Sequence, residues 1–311
     1  MNLRGKLVLI TGAGRGIGLA TAIELSRAGA RIIVVELDAA AAEAGVTSIE
    51  ERGGKAWSYV MDVSDRSAVD KTISQIEEDC GPLDIVINNA GIMLLGEFME
   101  HEHQQDIRQM EVNFFGVVNV MRSVLPYMEK RGRGHIVNIA SLAGKFGVPY
   151  SALYSASKHA VIGLTESIRG EYLDSNIHFS YVMPGVVETE LFMGATKPKW
   201  PPMSTPQDVA VGVRRAIEKR KVEVFVPRLA RFSLYLRLFL PQFAQDKLSR
   251  VLNVAEMFRN VDRAKRQEYV LRAMVGVDEK SEPLQAESPT SSSGNGVEQK
   301  NDSVVSVSAA S

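Results

Sequence analysis

The sequence predicts an α/β protein built on a doubly wound parallel sheet whose two faces are both covered by helices. Short apolar runs alternate with segments of helical periodicity along the first 227 residues, which is the pattern of such a sheet. The run Arg31–Leu37 has an Ile-Ile-Val-Val centre with no polar alternation, as expected for a strand buried on both faces. A glycine-rich turn, Thr11–Gly18, joins the first apolar run to the first helical segment. Together these observations favour a single α/β domain over residues 1–227.

The strands are predicted from the apolar runs, and the helices from the periodic segments between them. The predicted strands are Lys6–Ile10, Arg31–Leu37, Ala56–Val63, Leu83–Asn88, Gly134–Ala140, His178–Met183 and Val222–Val226. The predicted helices are Ile17–Ala28, Ala39–Arg52, a segment from Ser64 to near Gly81, two within His103–Arg131, Ser151–Asp174 and Pro206–Lys219. Asp38 precedes the second helix and is expected to cap it.

Composition limits the classes of protein to which the chain can belong. Of its 311 residues, 45% are hydrophobic and 23% are charged, and the formal net charge of −1 gives no reason to expect a nucleic-acid partner. Cys80 is the single cysteine, so an intrachain disulfide is excluded and a reducing, cytoplasmic location is expected. Residues 1–6 lack the charged leader and apolar run of a signal peptide, and no apolar stretch is long enough for a spanning helix.

The chain changes character after Pro227. Residues 228–276 are interpreted as an amphipathic helical extension, in which 228–240 is rich in Phe, Leu and Tyr with interleaved arginines. This first part could form an interfacial helix in peripheral contact with a membrane, cover a binding pocket, or lie in a subunit interface. From Val277 onward Ser, Glu, Gly and Asn are frequent. Such a composition cannot offset the entropy of ordering the chain, so residues 277–311 are predicted to be disordered.

The glycine-rich turn has the spacing Gly-x-x-x-Gly-x-Gly, which predicts a site for the pyrophosphate of a dinucleotide. Gly12 allows the tight turn after the strand, and Gly16 lets the backbone approach the anion. Gly18 lets the helix pack close to the sheet. The amides at the start of the helix, around Ile17, then face the negative charge.

Two charged residues bear on which dinucleotide would bind. Glu36 ends the second strand, where a carboxylate accepts hydrogen bonds from the hydroxyls of an adenosine ribose and repels the 2′-phosphate of NADP. Arg15 in the turn favours NADP instead, because it could pair with that phosphate. Leu37 follows Glu36, so no second cation assists Arg15 there. The sequence therefore favours NAD, with NADP as the alternative.

The ends of the third and fourth strands add candidate cofactor contacts. Asp62-Val63 is expected to receive the adenine amino group, although an aspartate there could equally belong to a turn or cap a helix. The run Asn88-Asn89-Ala90-Gly91 ends the fourth strand and offers small residues that leave room for a cofactor. Its asparagine side chains can brace adjacent strands, but alone this run could be a simple turn.

Ser141, Tyr154 and Lys158 form the predicted reactive group. Tyr154 and Lys158 are four positions apart and share one face of a helix, while Ser141 follows the fifth strand and reaches the sheet edge that carries the glycine turn. The phenol of a free tyrosine has a pKa of about 10, and a nearby ammonium together with a positive nicotinamide ring would lower it. Tyr154 could then exchange a proton with an alcohol as hydride moves, with Ser141 holding the substrate oxygen. Tyr154 and Lys158 are also candidate cofactor contacts, because the Lys158 ammonium can reach the nicotinamide ribose hydroxyls. Asn113 is expected to interrupt a helix and bind a water that connects Lys158 to solvent.

These motifs together resemble the short-chain dehydrogenases/reductases, and the resemblance covers about residues 1–227. The matching positions are Thr11–Gly18, Asp62, Asn88–Gly91, Asn113, Ser141, Tyr154, Lys158, Pro184-Gly185 and Thr189. The resemblance implies a seven-stranded Rossmann-type sheet and the cofactor and catalytic roles given above. It implies further cofactor contacts in a mobile substrate lid at Pro184, Gly185, Val187 and Thr189. It also implies a homodimer or homotetramer formed through helices within 103–131 and 151–174.

The candidate substrate residues beyond Ser141 and Tyr154 are apolar. They are Met93, Phe146, Val186 and Phe192, with Leu94, Leu95, Val148, Leu191 and Met193 as further candidates. We expect about half of these to pack in the core instead. An apolar pocket suits a lipophilic secondary alcohol or its ketone, and the long extension is similar to that of family members that act on retinoids, steroids or other lipids. No metal is expected, because His101 and His103 are interpreted as a solvated helix start.

The favoured function is an NAD-dependent oxidoreductase that interconverts a lipophilic alcohol and its carbonyl, with Tyr154 as general acid and base. Three alternatives stay open at this point: an NADPH-dependent carbonyl reductase with the same catalytic residues, a dinucleotide-binding regulator with little turnover, and a membrane-interaction protein in which the extension is primary. The intact Ser-Tyr-Lys group disfavours the regulator, because a sensor does not need that proton chemistry.

Overall fold

The computed structural model describes residues 1–198, 203–251 and 255–275, and its centre is a seven-stranded parallel sheet. The strands are β1 (Leu7–Thr11), β2 (Arg31–Glu36), β3 (Lys55–Val60), β4 (Ile85–Asn88), β5 (Gly134–Ile139), β6 (Ile177–Pro184) and β7 (Glu223–Val226). Their spatial order is β3-β2-β1-β4-β5-β6-β7, and every neighbouring pair is parallel. The predicted fold class is therefore confirmed. Because the order reverses between β1 and β4, a crevice opens at the carboxyl ends of these two strands.

Helices cover both faces of the sheet. They are α1 (Gly16–Arg27), α2 (Ala39–Glu50), α3 (Arg66–Asp79), α4 (His103–Met110), α5 (Gly116–Arg131), α6 (Ala152–Glu171), α7 (Pro206–Lys219), α8 (Ala230–Phe239), α9 (Gln242–Val251), α10 (Glu256–Arg259) and α11 (Arg263–Ala273). Apolar side chains of α1, α2 and α7 pack on one face, and those of α3, α5 and α6 pack on the other.

The strands supply alternate side chains to two separate cores. Along β1, Leu7 and Leu9 enter the core beneath α3, α5 and α6, whereas Val8 and Ile10 enter the core beneath α1, α2 and α7. All four side chains are fully buried. Burial of each contributes roughly 1.5–3 kcal/mol relative to exposure, so the two cores fix the sheet between its helical layers.

Side-chain caps set the starts of the helices that follow β2 and β3. The carboxylate of Asp38 accepts hydrogen bonds from the backbone of Ala40 and Ala41, which confirms its predicted capping role. The third helix begins at Arg66 rather than at the predicted Ser64, because Asp65 caps it. A π-helical segment, Glu111–Phe115, then joins α4 to α5.

In the described residues beyond β7 the extension forms helices α8 to α11. Its first helix, α8, exposes aromatic side chains, with Phe232 73% and Phe239 84% accessible. By contrast, Phe258 of α10 and Tyr269 of α11 are buried. The division into a domain at 1–227 and an extension at 228–276 stays a prediction, and the predicted disordered tail lies outside the described residues. Within the described parts of the chain, no helix has the length and apolar character needed to cross a bilayer.

Two neighbouring strands of the sheet carry a histidine pair, of which His135 is buried and His178 is half-buried. The register places His135 of β5 beside His178 of β6, with ring centroids 5.8 Å apart. The hydroxyl of Ser180 donates to the Lys221 carbonyl (2.6 Å) and therefore accepts from Nε2 of His135 (2.8 Å). Protonation of His135 at Nδ1 would charge a fully buried ring. Burial, assisted by the positive charges of His178, Arg220 and the N-terminus, accordingly lowers the pKa of His135 to about 3.

We predict that His135 makes the fold less stable in mild acid. The pKa of His135 in the folded protein lies below its unfolded value of about 6.5. Below pH 6.5 the unfolded chain therefore binds a proton that the folded protein does not, and the free energy of unfolding falls as the pH falls. The loss approaches about 1.4 kcal/mol per pH unit well below pH 6.5. In urea denaturation at a series of pH values, His135→Gln should reduce the slope of the free energy of unfolding against pH by that amount, because glutamine does not titrate. Its amide keeps a donor for Ser180. His103→Gln, at an exposed position of α4, is the control and should leave the slope unchanged. Equal slopes for His135→Gln and the parent protein would contradict the prediction.

Candidate active site

The turn between β1 and α1 is shaped by its glycines. Gly12 and Gly16 have φ angles of 65° and 54°, in the left-handed region that favours glycine. A Cβ atom on Gly18 would lie only 1.9 Å from the carbonyl oxygen of Gly12, so this glycine lets α1 pack directly against the turn. Arg15 occupies the N-cap position of α1, and its side chain makes no capping hydrogen bond. The first amides of α1, beginning near Ile17, are therefore left for an anionic group, which fits a dinucleotide pyrophosphate.

Residues after β4 hold the glycine turn in place through hydrogen bonds. The side-chain amide of Asn89 donates to the carbonyls of Thr11 (3.0 Å) and Gly12 (2.9 Å). The hydroxyl of Thr11 in turn accepts from the backbone amides of Asn89 and Ala90, both at 3.0 Å. The bracing role predicted for the asparagine thus has a specific geometry. It ties the loop after β4 to the glycine turn.

Carboxylates surround the end of β2. One oxygen of Glu36 accepts a hydrogen bond from the backbone amide of Gly14 at 2.8 Å, and burial raises the pKa of this carboxyl against that bond and the attraction of Arg15. The guanidinium of Arg15 lies between Glu190 (3.5 Å) and Asp38 (3.8 Å). The one cation predicted to favour NADP is therefore already paired with two acids.

Asp62 is held in a local turn and by a distant arginine. One of its oxygens accepts from the backbone amide (2.8 Å) and hydroxyl (2.7 Å) of Ser64, and the other accepts from Arg108 at 3.2 Å. Burial acts to raise the pKa of Asp62, but these hydrogen bonds together lower it below its ordinary value. The contacts correspond to the turn aspartate considered as the alternative. The adenine contact of Asp62 and Val63 stays a prediction, and both residues line the cavity described below.

Ser141, Tyr154 and Lys158 lie together beyond the end of β5. Ser141 lies near enough to Tyr154 to lower the pKa of its phenol, and the Ser141 hydroxyl accepts from the backbone amide of Ala143 at 3.1 Å. The ammonium of Lys158 lies 5.7 Å from the centroid of the Tyr154 ring and donates to the carbonyl of Ile139 at 3.0 Å. The structure therefore brings together the three side chains that the sequence predicted to react.

Burial changes the acid–base behaviour of this group. It raises the pKa of the Tyr154 phenol, against a smaller lowering by the hydrogen bond from Ser141. It also lowers the pKa of the Lys158 ammonium to about 8. The sequence argument expected the Lys158 ammonium and a bound nicotinamide together to lower the pKa of Tyr154. In the protein's own groups burial has the larger effect and raises this pKa, and the joint effect with a cofactor stays a prediction.

Asn113 lies in the π-helical segment between α4 and α5 and is fully buried. Its side-chain oxygen accepts from the amide of Ile92 and its nitrogen donates to the carbonyl of Ile92, both at 2.8 Å, with a further bond to Ser157 at 3.1 Å. A Cβ on Gly91 would lie 3.1 Å from the Asn113 oxygen and 3.5 Å from the Lys158 nitrogen. Asn113 therefore fixes the loop that passes beside Lys158, as a helix interruption of the predicted kind. The water-binding role stays a prediction.

One cavity of about 1980 Å³ connects the glycine turn to the reactive group. Of the predicted catalytic, cofactor and main substrate residues, all line it except Gly18 and Asn113, which lie behind its wall, and the further candidates Leu94 and Leu95 do not line it either. The lining residues are Gly12, Arg15, Gly16, Ile17, Glu36, Asp62, Val63, Asn89, Ala90, Gly91, Met93, Ser141, Phe146, Tyr154, Lys158, Pro184, Gly185, Val186, Val187, Thr189 and Phe192. Thr189 lies across the turn from Gly16, 3.7 Å from its Cβ position, so the segment after β6 closes over the cofactor side.

The substrate side of the cavity is apolar, and the extension helps to build it. Met93 and Phe192 pack against Phe258 of α10, with Val186 and Tyr154 at the edge of the same cluster. Leu94 was a further substrate candidate, but it does not line the cavity. It is buried in the core and its amide is held by Gln109.

Sequence reasoning missed several residues of this site. They are Arg108, Met257, Phe258, Arg266 and Tyr269. Arg108 is buried and bonds both Asp62 and the carbonyl of Ala273, which lies 165 positions later in the chain. No spacing could reveal a partner so distant. The apolar positions of 255–275 were the one available signal.

Comparison with known proteins identifies the family. Residues 6–200 match the family model for short chain dehydrogenases. The chain belongs to the short-chain dehydrogenase family. It is 36% identical over 227 residues to the ketoacyl reductase HetN of a Nostoc species, covering 72% of this chain and 79% of that protein. It is 30% identical over 257 residues to 17-beta-hydroxysteroid dehydrogenase 13 of Rattus norvegicus, covering 81% of this chain and 85% of that protein.

Solved structures of the family give the same fold. A short chain dehydrogenase/reductase from Burkholderia phymatum, in complex with NAD, has a TM-score of 0.70 at 25% identity and covers 76% of this chain and 94% of its own. A gluconate 5-dehydrogenase from Burkholderia cenocepacia, in complex with NADP and tartrate, has a TM-score of 0.65 at 29% identity. It covers 72% of this chain and 95% of its own. The chain is therefore an NAD(P)-dependent oxidoreductase that acts on CH–OH groups.

We predict that Gly18→Ala disrupts the cofactor turn. The added Cβ would press on the Gly12 carbonyl and on the amide of Asn89, so the turn must open. The free energy of unfolding should fall by about 1–3 kcal/mol, and NADH should bind less tightly. Urea denaturation and a fluorescence titration with NADH would measure the two effects.

Gly163→Ala is the matched control, because Gly163 also lies within a helix. No described atom lies within 4 Å of its Cβ position. This variant should keep NADH affinity and gain up to about 1 kcal/mol of stability from helix propensity. If both variants behaved alike, the close contact between Gly18 and Gly12 would not matter.

Proposed function

We propose that this protein is an NAD-dependent dehydrogenase that interconverts a lipophilic secondary alcohol and its ketone, with Tyr154 as general acid and base. One observation carries the proposal. The Tyr154 phenol, beside Ser141 and Lys158, stands where the cofactor side of the cavity meets an apolar wall formed by Met93, Phe192 and Phe258. Such a wall binds hydrocarbon and leaves one polar position for a substrate oxygen.

The chain's own residues would handle the proton and the orientation. When bound, the dinucleotide supplies the acceptor or donor of hydride. Ser141 and Tyr154 hydrogen-bond the substrate oxygen and so fix the carbon that exchanges hydride. In oxidation Tyr154 takes the proton of the alcohol as its C–H hydrogen leaves as hydride, and in reduction it returns the proton to the carbonyl oxygen. Lys158 lies beside this proton path and is held in place by the Ile139 carbonyl.

The pKa shifts favour a neutral Tyr154 in the resting site. Burial raises the pKa of the phenol, so it is protonated at neutral pH and ready to donate to a carbonyl. Alcohol oxidation needs the deprotonated form and should accelerate as the pH rises toward that raised pKa. The reverse reaction should lack this acceleration, because it uses the protonated phenol.

Tyr154→Phe tests the proposed function directly. Turnover of a panel of lipophilic secondary alcohols, followed as NADH formation, should fall by about 10²–10⁴-fold. NADH binding, measured by fluorescence titration, should stay near that of the parent protein, because the ring that lines the cavity is retained.

Tyr172→Phe is the control for this substitution. Tyr172 follows α6, and its hydroxyl bonds Glu129 away from the cavity, so the variant should keep full turnover. Turnover that survives in Tyr154→Phe would overturn the assignment of Tyr154 as the proton-transfer residue. A parent protein that binds dinucleotide but turns over no alcohol or ketone would favour the regulator alternative.

We propose NAD rather than NADP as the physiological cofactor. Three observations support this choice. Glu36 ends β2 beside the turn, Asp38 lies two residues later, and Arg15 is paired with Asp38 and Glu190. A 2′-phosphate at this position would meet two carboxylates and would have to compete for the one cation.

We predict tighter binding of NADH than of NADPH, by at least about tenfold. Glu36→Gln should narrow the difference, because it removes the repelling charge while its amide oxygen can still accept from Gly14. Fluorescence titrations with both cofactors would give the two ratios. Tighter NADPH binding by the parent protein would instead identify Arg15 as the phosphate ligand and direct the search to ketone reduction.

The partner predictions belong to this proposal. Peripheral contact with a lipid surface through residues 228–240 is supported by the exposed aromatics of α8 and by the neighbouring Arg228 and Arg231, which suit anionic headgroups. Leu229 and Phe232 also line the cavity, so a lipophilic substrate could enter from such a surface. The homodimer or homotetramer predicted through α4, α5 and α6 stays a proposal.

A further inference from the structure

Helix α11 fastens two separate segments of the substrate site. The segments are the loop after β4, which carries Met93, and the segment after β6, which carries Phe192. Both side chains belong to the apolar cluster beside Tyr154. The backbone of each segment is bonded to side chains of α11, which lies more than 70 residues further along the chain.

Arg266 makes the first set of these bonds. Its side chain is only 3% exposed, and its guanidinium donates to three backbone carbonyls: those of Leu191 (2.9 Å), Met193 (2.8 Å) and Met93 (2.5 Å). The planar fork of an arginine can reach several acceptors at fixed angles, which a lysine ammonium cannot match. One side chain therefore joins the loop after β4 to the segment after β6.

Tyr269 completes the attachment of Met93. Its hydroxyl accepts a hydrogen bond from the Met93 amide at 2.7 Å, so α11 holds both the amide and the carbonyl of this residue. The guanidinium of Arg266 lies 4.7 Å from the centroid of the Tyr269 ring, and this cation–π contact holds the two side chains together. The backbone of Asp262, just before α11, bonds the Gly194 carbonyl at 2.9 Å and extends the same contact.

The far end of α11 reaches the cofactor side. Arg272 pairs with Glu190 at 3.0 Å, the same carboxylate that lies 3.5 Å from Arg15. The carbonyl of Ala273 accepts from Arg108, which also bonds Asp62. Helix α11 therefore spans the open side of the crevice from the apolar wall to the adenosine end.

We propose that Arg266 and Tyr269 are positioning residues that determine substrate specificity by fixing Met93 and Phe192 against Tyr154. The inference rests on the proposed function in that it names the wall of the same substrate pocket. Without these two side chains the loop after β4 and the segment after β6 separate. The pocket then loses its fixed width, whereas the glycine turn and the reactive group stay in place.

Two substitutions test the proposal. Arg266→Lys keeps the positive charge but cannot donate to all three carbonyls, and Tyr269→Phe keeps the ring but removes the acceptor for the Met93 amide. Each should raise the KM for a lipophilic secondary alcohol by about tenfold or more, with kcat changed much less. The Kd for NADH should stay near the parent value. The matched control is Arg263→Ala on the same helix, whose side chain is 81% exposed and pairs only with Glu100 among its salt bridges in the described chain.

Hydrogen exchange measured by mass spectrometry gives a readout that does not depend on turnover. Peptides that cover Met93 and 189–196 should exchange faster in both variants, and peptides from β1 and α1 should not. Unchanged KM and unchanged exchange in both variants would overturn the proposal, as would equal effects in Arg263→Ala. If no alcohol is turned over by the parent protein, the proposed function fails. The exchange measurement still decides whether α11 holds these segments.

Discussion

The whole site depends on the short loop that follows β4, because three parts of the molecule are attached to it. Asn89 bonds the carbonyl of Thr11 and so supports the cofactor turn. Gly91 passes beside the nitrogen of Lys158, and a Cβ atom there would lie only 3.1 Å from the side-chain oxygen of Asn113. Met93 carries the apolar wall and is held through its backbone by α11. A parallel sheet that reverses order at β4 makes this convergence possible, since the ends of β1, β4 and β5 then open on one crevice.

Burial of the reactive group sets a constraint of its own. It acts on both members of the pair in the direction of the neutral form: the phenol of Tyr154 holds its proton more strongly and the ammonium of Lys158 holds its proton less strongly. The protein alone therefore presents a proton donor rather than a phenolate. The positive charge of an oxidised nicotinamide would lower the pKa of the phenol and so couple cofactor binding to base strength in alcohol oxidation.

The predictable part of the site is the part that local pattern and sheet topology determine. Tyr154 and Lys158 share a helix face because they are four positions apart, and a parallel sheet brings the ends of its strands together wherever they fall in the sequence. Prediction from local pattern already fails at the start of α3. Ser64 was expected to begin this helix, but its hydroxyl bonds the carboxylate of Asp62 instead. The long-range roles of Arg108 and Arg266 were out of reach, because each bonds a backbone carbonyl that lies 165 or 173 positions away, and backbone carbonyls leave no mark on composition.

Arg266 also shows why the extension is more than added surface. Burying a guanidinium is expensive, and burial lowers the pKa of this one, so the position is tolerable only because backbone carbonyls satisfy its donors. An apolar residue of similar volume would pack beside Tyr269 at less cost, but it could not join two loops that make no strand pairing with each other. A pocket with an apolar wall gains little directional bonding from its substrate, so its selectivity rests on the fixed position of that wall. In our proposal the buried arginine supplies this rigidity from the extension, outside the sheet and glycine turn that the sequence motifs define.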